Sequence, residues 1–119
     1  MFWGIALFVT VWFDGVAIPG GCLVDTGASA TVLRRSEAAR LGTLGPPGST
    51  ATFTAASDTT FVATSHRIPN VGTADLGWSS ATVWVVPDGQ LSQACILGTD
   101  LLGQQPIIID WYAQRVRRA

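Results

Sequence analysis

Leu23-Val24-Asp25-Thr26-Gly27-Ala28-Ser29 is the stretch whose reading decides the fold. Two apolar residues deliver a carboxylate into a tight turn, where Gly27 permits close backbone approach and any dihedral the turn demands. Downstream, Ile96-Leu97-Gly98-Thr99-Asp100 again closes an apolar pair with a glycine, and Gly98 to Gly103 is expected to form a short helix. Asp-Thr-Gly alone recurs by chance in many proteins. The two stretches together, each ending an apolar strand and set apart by this spacing, make a specific signal.

The pair resembles the two signatures of aspartic proteases, with a spacing similar to the single-lobed, retroviral-type (retropepsin-like) branch and unlike the two-lobed pepsins. Phe8 to Leu33 looks like that family's opening β-hairpin and active-site loop over nearly its whole length. The resemblance implies an all-β fold, a closed acid-protease-type β-barrel with a flap hairpin and one or two short helices, as a single domain over residues 1–119. It implies an aspartic endopeptidase with Asp25 as the catalytic residue and no cofactor. Thr26 would hydrogen-bond across a dimer axis, and Gly27 would present backbone groups to substrate. Ala28 and Ser29 would contact extended substrate or brace the loop. Many retroviral enzymes carry Asp where Ser29 stands and an arginine where Thr99 stands, so a bacterial or cellular relative is expected.

The chemistry itself asks for two chains. Two carboxylates held about 3 Å apart cannot both ionise, so one keeps a proton while the other activates water. This sequence offers one Asp-Thr-Gly, so the expected partner is a second copy, with the interface as the active site. Polypeptide is the expected substrate. Asp100 lies in Gly-Thr-Asp at the start of a short helix, where a carboxylate caps backbone N–H groups, and is read as structural.

Composition narrows the alternatives. The 119 residues suffice for one domain with a real core. A formal charge of −1 gives no electrostatic case for nucleic acid or an acidic membrane surface. One histidine and two scattered cysteines make no metal-ligand cluster. His66 has no patterned nucleophile or acid and reads as a partly exposed histidine. Cys22 and Cys95 each lie three residues before Asp25 or Gly98 and are expected to be buried small hydrophobes. A disulfide is the alternative, since sequence does not report the distance between them. Met1 to Phe13 carries no charge before Asp14 but is shorter than the ~20 residues of a spanning helix and lacks a basic n-region, so no stable membrane span is expected. The cytoplasm is the favoured compartment, with a membrane-attached or exported form if the natural N-terminus is longer.

Along the chain, a first strand is expected from near Leu7, with Val9, Val11 and Phe13 facing one way and Phe8, Thr10 and Trp12 the other; apolar groups on both faces imply burial on both sides or against a partner subunit. Asp14-Gly15 signals a type I′ hairpin. A second strand starts near Val16, is interrupted at Pro19-Gly20-Gly21, and resumes at Cys22. Thr31 to Leu33 leaves the Asp25 loop. Ser36 to Gly42 reads as a helix with Ser36 as N-cap and Gly42 as stop. Thr50 to Thr54 and Thr59 to Thr64 alternate as a hairpin with a polar tip, Ala55-Ala56-Ser57-Asp58, which by position resembles the flap. The tip lacks the glycines of retroviral flaps. A further hairpin is expected around Asn70-Val71-Gly72, a strand over Ala81 to Val86, and a last strand over Pro106 to Trp111. Arg115, Arg117 and Arg118 read as a solvated tail.

A second class of function stays open at this stage: a retropepsin-like module for dimerisation or peptide binding, with little or no turnover. Two buried carboxylates argue against it, because they cost several kcal/mol unless paired or protonated. The glycine-free flap and the missing arginine argue for it.

Overall fold

The opening segment folds as its local chemistry dictates. In the computed structural model, which describes residues 6–42, 44–54 and 58–119, β1 (Phe8–Val9), β2 (Trp12–Phe13) and β3 (Val16–Ala17) precede β4 (Cys22–Val24). Asp14 and Gly15 take φ of 50° and 86°, the left-handed pair that a type I′ turn needs, and Phe13 pairs with Val16 across it. Leu7, Val11 and Phe13 are buried and Val9 is half-buried. Phe8 and Trp12, on the other face, are exposed, so burial of both faces does not hold within the protomer. Gly21 adopts φ 78°, and a side chain there would strike the Val9 carbonyl oxygen at 2.6 Å. That close approach is why the chain breaks before β4.

The remaining elements are β5 (Val32–Arg34), α1 (Arg35–Leu41), β6 (Thr50–Thr54), β7 (Thr60–Gly72), β8 (Gly77–Val86), β9 (Cys95–Leu97), α2 (Thr99–Leu102), β10 (Ile107–Asp110) and β11 (Arg115–Arg118). The main sheet runs β1-β4-β9-β5-β8-β7-β2-β3, with β6 on β7. β1 starts that path and β2 lies near its far end, yet only Thr10 and Val11 separate them in the chain. The sheet therefore curls on itself into a half-barrel, the all-β acid-protease-type architecture expected. Leu7, Phe13, Ile18, Leu33, Val83 and Leu97 fill its interior. A smaller cluster of Val32, Ala63 and Val86, with Phe53, Phe61 and Trp84 packed on it, lies under the β6–β7 hairpin.

Four local expectations are corrected. Cys22 and Cys95 are not free thiols: they sit opposite one another on β4 and β9, strands paired in parallel at Leu23–Ile96, and form a disulfide. Ser36 is not the N-cap of α1. The N-cap position is Arg34, two residues earlier, and the Ser36 N–H donates to Asp88 Oδ1 at 2.9 Å. Gly42 does end it, at φ 73°. Asn70, Val71 and Gly72 are not a turn but the end of β7, opposite Ser79, Trp78 and Gly77. The turn comes next, where Thr73 Oγ1 accepts the N–H groups of Asp75 and Leu76 at 3.2 and 3.0 Å. A threonine hydroxyl that satisfies two backbone donors outcompetes the Asn-Val-Gly signal.

The arginine-rich end is the fourth. It is strand β11, paired antiparallel with β10 so that Val116 faces Ile109. Val116 is buried between exposed Arg115 and half-exposed Arg117, the period-2 pattern of a half-buried strand. Arg115 forms an ion pair with Asp75 in the β7–β8 turn. Trp111 belongs to the β10–β11 turn and not to the strand.

Candidate active site

The Asp25 loop owes its shape to the strands on either side of it. β4 runs parallel to β9, while β5 runs antiparallel to β9 on its other side. The chain therefore leaves β4 at Val24, crosses the end of β9, and returns on β5. The residues that follow β9 pass directly beneath the crossing. Space there is tight: a Cβ on Gly98 would lie 2.5 Å from the Ala30 carbonyl oxygen and 2.9 Å from that of Ala28. Only glycine fits without moving backbone, which explains the glycine in Ile96-Leu97-Gly98.

Asp25 sits at the start of the crossing, half-buried, with Thr26, Gly27 and Ser29 exposed around it. The Gly27 N–H donates to Asp25 Oδ1 at 2.9 Å, and the Ala28 N–H to the Asp25 carbonyl at 3.2 Å. A Cβ on Gly27 would come within 3.2 Å of Asp25 Oδ1, so the glycine keeps the carboxylate uncrowded. From below, the Asp25 N–H donates to the Leu97 carbonyl at 3.1 Å. The Ala28 carbonyl accepts both the Thr99 N–H at 2.8 Å and the Thr99 hydroxyl at 3.1 Å. Thr99, noted as a departure from arginine, thus braces the loop by a different bond.

Asp100 is structural but is not the cap of α2, whose N-cap is Gly98 with no side-chain cap bond. Its Oδ1 accepts the N–H of the next residue, Leu101, at 2.9 Å and the Thr31 hydroxyl at 2.7 Å, while Oδ2 accepts the Thr31 N–H at 3.0 Å. The Thr31 oxygen in turn accepts the Gly98 N–H at 3.1 Å. Thr31 is fully buried. Sequence reasoning missed this link, because the partners lie 69 residues apart. The one usable sign was a threonine just after the first stretch, at Thr31, and an aspartate at the end of the second, at Asp100.

The β6–β7 hairpin stands over the same end of β5. Phe53 and Phe61 face each other across it, with ring centroids 5.9 Å apart, and Phe53 meets Trp84 of β8 at 5.5 Å. The shaft is thereby tied to the barrel by tilted aromatic contacts. Of the tip, Asp58 is exposed with φ 62°; Ala55, Ala56 and Ser57 lie outside the described residues. His66 is structural: its Nδ1 bonds the Gly45 carbonyl at 2.9 Å and its Nε2 the Thr64 hydroxyl at 3.3 Å, pinning the loop before β6.

With this geometry in place, the comparisons with known proteins agree. The chain belongs to the aspartyl protease family whose model matches residues 9–101. A retropepsin-like aspartic protease from Rickettsia conorii superposes with a TM-score of 0.68 at 24% identity, over 88% of this chain and 84% of that one. EIAV protease, complexed with the inhibitor HBY-793, gives 0.69 at 17% identity over 87% and 92%. The retroviral protease-like domain of Ddi1 from Leishmania major gives 0.60 at 19% over 92% and 81%. The fold is therefore retropepsin-like. A search of curated proteins returned no match.

Proposed function

We propose that this protein is an aspartic endopeptidase that works as a homodimer, with Asp25 of each protomer forming the catalytic pair. The reading rests on Asp25 itself, a half-buried carboxylate on a braced loop whose neighbours Thr26, Gly27 and Ser29 are exposed. One chain supplies one such loop, and a two-fold axis beside it supplies the second. The two carboxylates share a proton, and their apparent pKa values belong to the pair. The ionised member takes a proton from water as its oxygen attacks the scissile carbonyl carbon. The protonated member gives its proton to the carbonyl oxygen. Collapse of the tetrahedral species breaks the C–N bond, the leaving nitrogen is protonated, and the shared proton is restored.

Thr26 would bond across the axis, while Gly27, Ala28 and Ser29 would line an extended, largely apolar polypeptide. The tip Ala55 to Asp58 would close over it as a flap. Among the described residues no helix is long and apolar enough to cross a membrane. The Cys22–Cys95 disulfide supports an exported or membrane-attached setting over the cytoplasm, because such bonds persist in oxidising compartments. The binding-module reading keeps one observation in its favour, the aromatic tie that fixes the hairpin shaft.

The test is cleavage of a random peptide library by the wild-type protein and by Asp25→Asn, with pepstatin as inhibitor and sedimentation alongside. Asn is nearly isosteric with Asp, so fold and dimer should persist while turnover falls by more than the ~10²–10⁴-fold of a lost general base. Asp25→Asn retaining turnover would sink the mechanism. A wild type that cleaves nothing would leave the binding module. Activity in a protein that stays monomeric would refute the dimer.

A further inference from the structure

A shared proton between two Asp25 side chains tolerates little error in their spacing, since a displacement of about 1 Å can cost 10²-fold in rate. Each protomer's contribution to that spacing is the position of its own Asp25 loop, which is held from the side. Residues 97–100 grip it at its start, middle and end. The start is a backbone bond from the Asp25 N–H to the Leu97 carbonyl, and the middle is the Ala28 carbonyl against the Thr99 N–H and hydroxyl. The end depends on Thr31 and the side chain of Asp100.

The direction of that last grip is determined by its neighbours. The Thr31 oxygen already accepts the Gly98 N–H at 3.1 Å, so its hydrogen points to Asp100 Oδ1 at 2.7 Å. The Thr31 N–H takes Oδ2 at 3.0 Å, and its carbonyl accepts the Trp84 N–H at 3.0 Å. Both carboxylate oxygens therefore face donors, and a charge-assisted bond of 2.7 Å is the strong kind. An amide has one acceptor oxygen. At position 100 its NH₂ would confront either the Thr31 N–H or a hydroxyl that must then turn away. Thr31 is fully buried, so no water can take over the lost bond without displacing packed groups.

We infer that Asp100 is a positioning residue for hydrolysis: acting through Thr31, its carboxylate fixes the outgoing end of the Asp25 loop and so holds Asp25 where two copies share a proton. The inference rests on the proposed protease activity. The Asp100 carboxylate bonds Thr31 and Leu101 and not Asp25, so its effect should appear in turnover more than in substrate binding.

Steady-state kinetics on one peptide, with melting and sedimentation of every variant, tests it. Asp100→Asn should fold and dimerise yet lose about 10- to 100-fold in kcat with KM within about threefold. Thr31→Val, which removes the hydroxyl at nearly constant shape, should lose a similar factor. Thr31→Ser, which keeps it, should stay within about threefold of wild type. Because both groups act as one contact, the double variant Thr31→Val/Asp100→Asn should lose little more than either single variant. Asp100→Asn and Thr31→Val both within twofold of wild-type kcat would overturn the assignment. So would losses that multiply in the double variant, or that follow the melting temperature and not the hydroxyl. A wild type without activity overturns the protease reading and this inference together, whereas an active wild type with an unimpaired Asp100→Asn overturns this inference alone.

Discussion

Breaking the Cys22–Cys95 disulfide should cost this protein a large part of its stability without dissolving its sheet. The bond closes a loop with a sequence separation of 73. In the chain-entropy account, opening such a loop returns about 15 cal/mol/K to the unfolded chain, or about 4.4 kcal/mol at 25 °C. Unfolding entropy near the midpoint is about 2.1 cal/mol/K per residue, so the 119 residues carry roughly 250 cal/mol/K. The expected fall in Tm is therefore about 15–20 °C. Native pairing should survive, because Leu23–Ile96 and Val24–Leu97 remain in register without the sulfur bridge. Both cysteines are fully buried, so reductant added to the folded protein acts slowly. The assay is wild-type protein refolded from urea with and without reductant, then melted at one protein concentration, since association shifts Tm by mass action. Intact mass should show the oxidised sample lighter by two hydrogens. Coincident melts, within about 2 °C, from samples whose masses prove the bond present and absent would refute the reasoning.

Other expectations follow from the same geometry. Gly98→Ala should abolish turnover and destabilise by about 3 kcal/mol or more, the upper end of overpacking costs, because the new methyl meets the backbone oxygens of Ala30 and Ala28 at 2.5 and 2.9 Å; a soluble, active, wild-type-like variant would contradict the close crossing. In hydrogen exchange, the shaft of the β6–β7 hairpin near Phe53 and Phe61 should be protected in free protein and the segment beyond Thr54 and Thr60 should gain protection with inhibitor; equal protection in both states would mean no lid. Phe53→Ala should erase that shaft protection and cost about 1–2 kcal/mol, less than a fully buried Phe because Phe53 is half-buried. The Ser36 N–H and hydroxyl hold the Asp88 carboxyl below its ordinary value, with Arg34 and Arg35 adding to the shift. A depressed carboxyl stabilises the fold above its unfolded pKa of about 3.9 and loses that contribution as pH falls through the folded value. Melts of Asp88→Ala and wild type should therefore differ at pH 7 and converge in strong acid, and a difference that persists unchanged there would exclude the cap.

The features legible in the sequence are those set by neighbours in the chain. Asp14-Gly15 demands a left-handed turn whatever surrounds it, Gly42 ends a helix by its own φ, and alternation at Val9, Val11 and Phe13 marks the core face. Leu23 to Gly27 and Ile96 to Gly98 carried the architecture because a glycine behind an apolar strand records how close the two loops pass. Other features were decided by partners far away in the chain. The α1 N-terminus is capped by Asp88, 52 residues off, and not by Ser36. Arg115 to Arg118 is a strand because Ile107 to Asp110 offers an edge and Val116 a face to bury. Asp100 serves Thr31 across 69 residues, and Cys22 finds Cys95 because β4 and β9 are adjacent in parallel register. A cysteine, an aspartate or a backbone N–H has the same chemistry in either role; which bond it makes depends on the group that folding brings within about 3 Å.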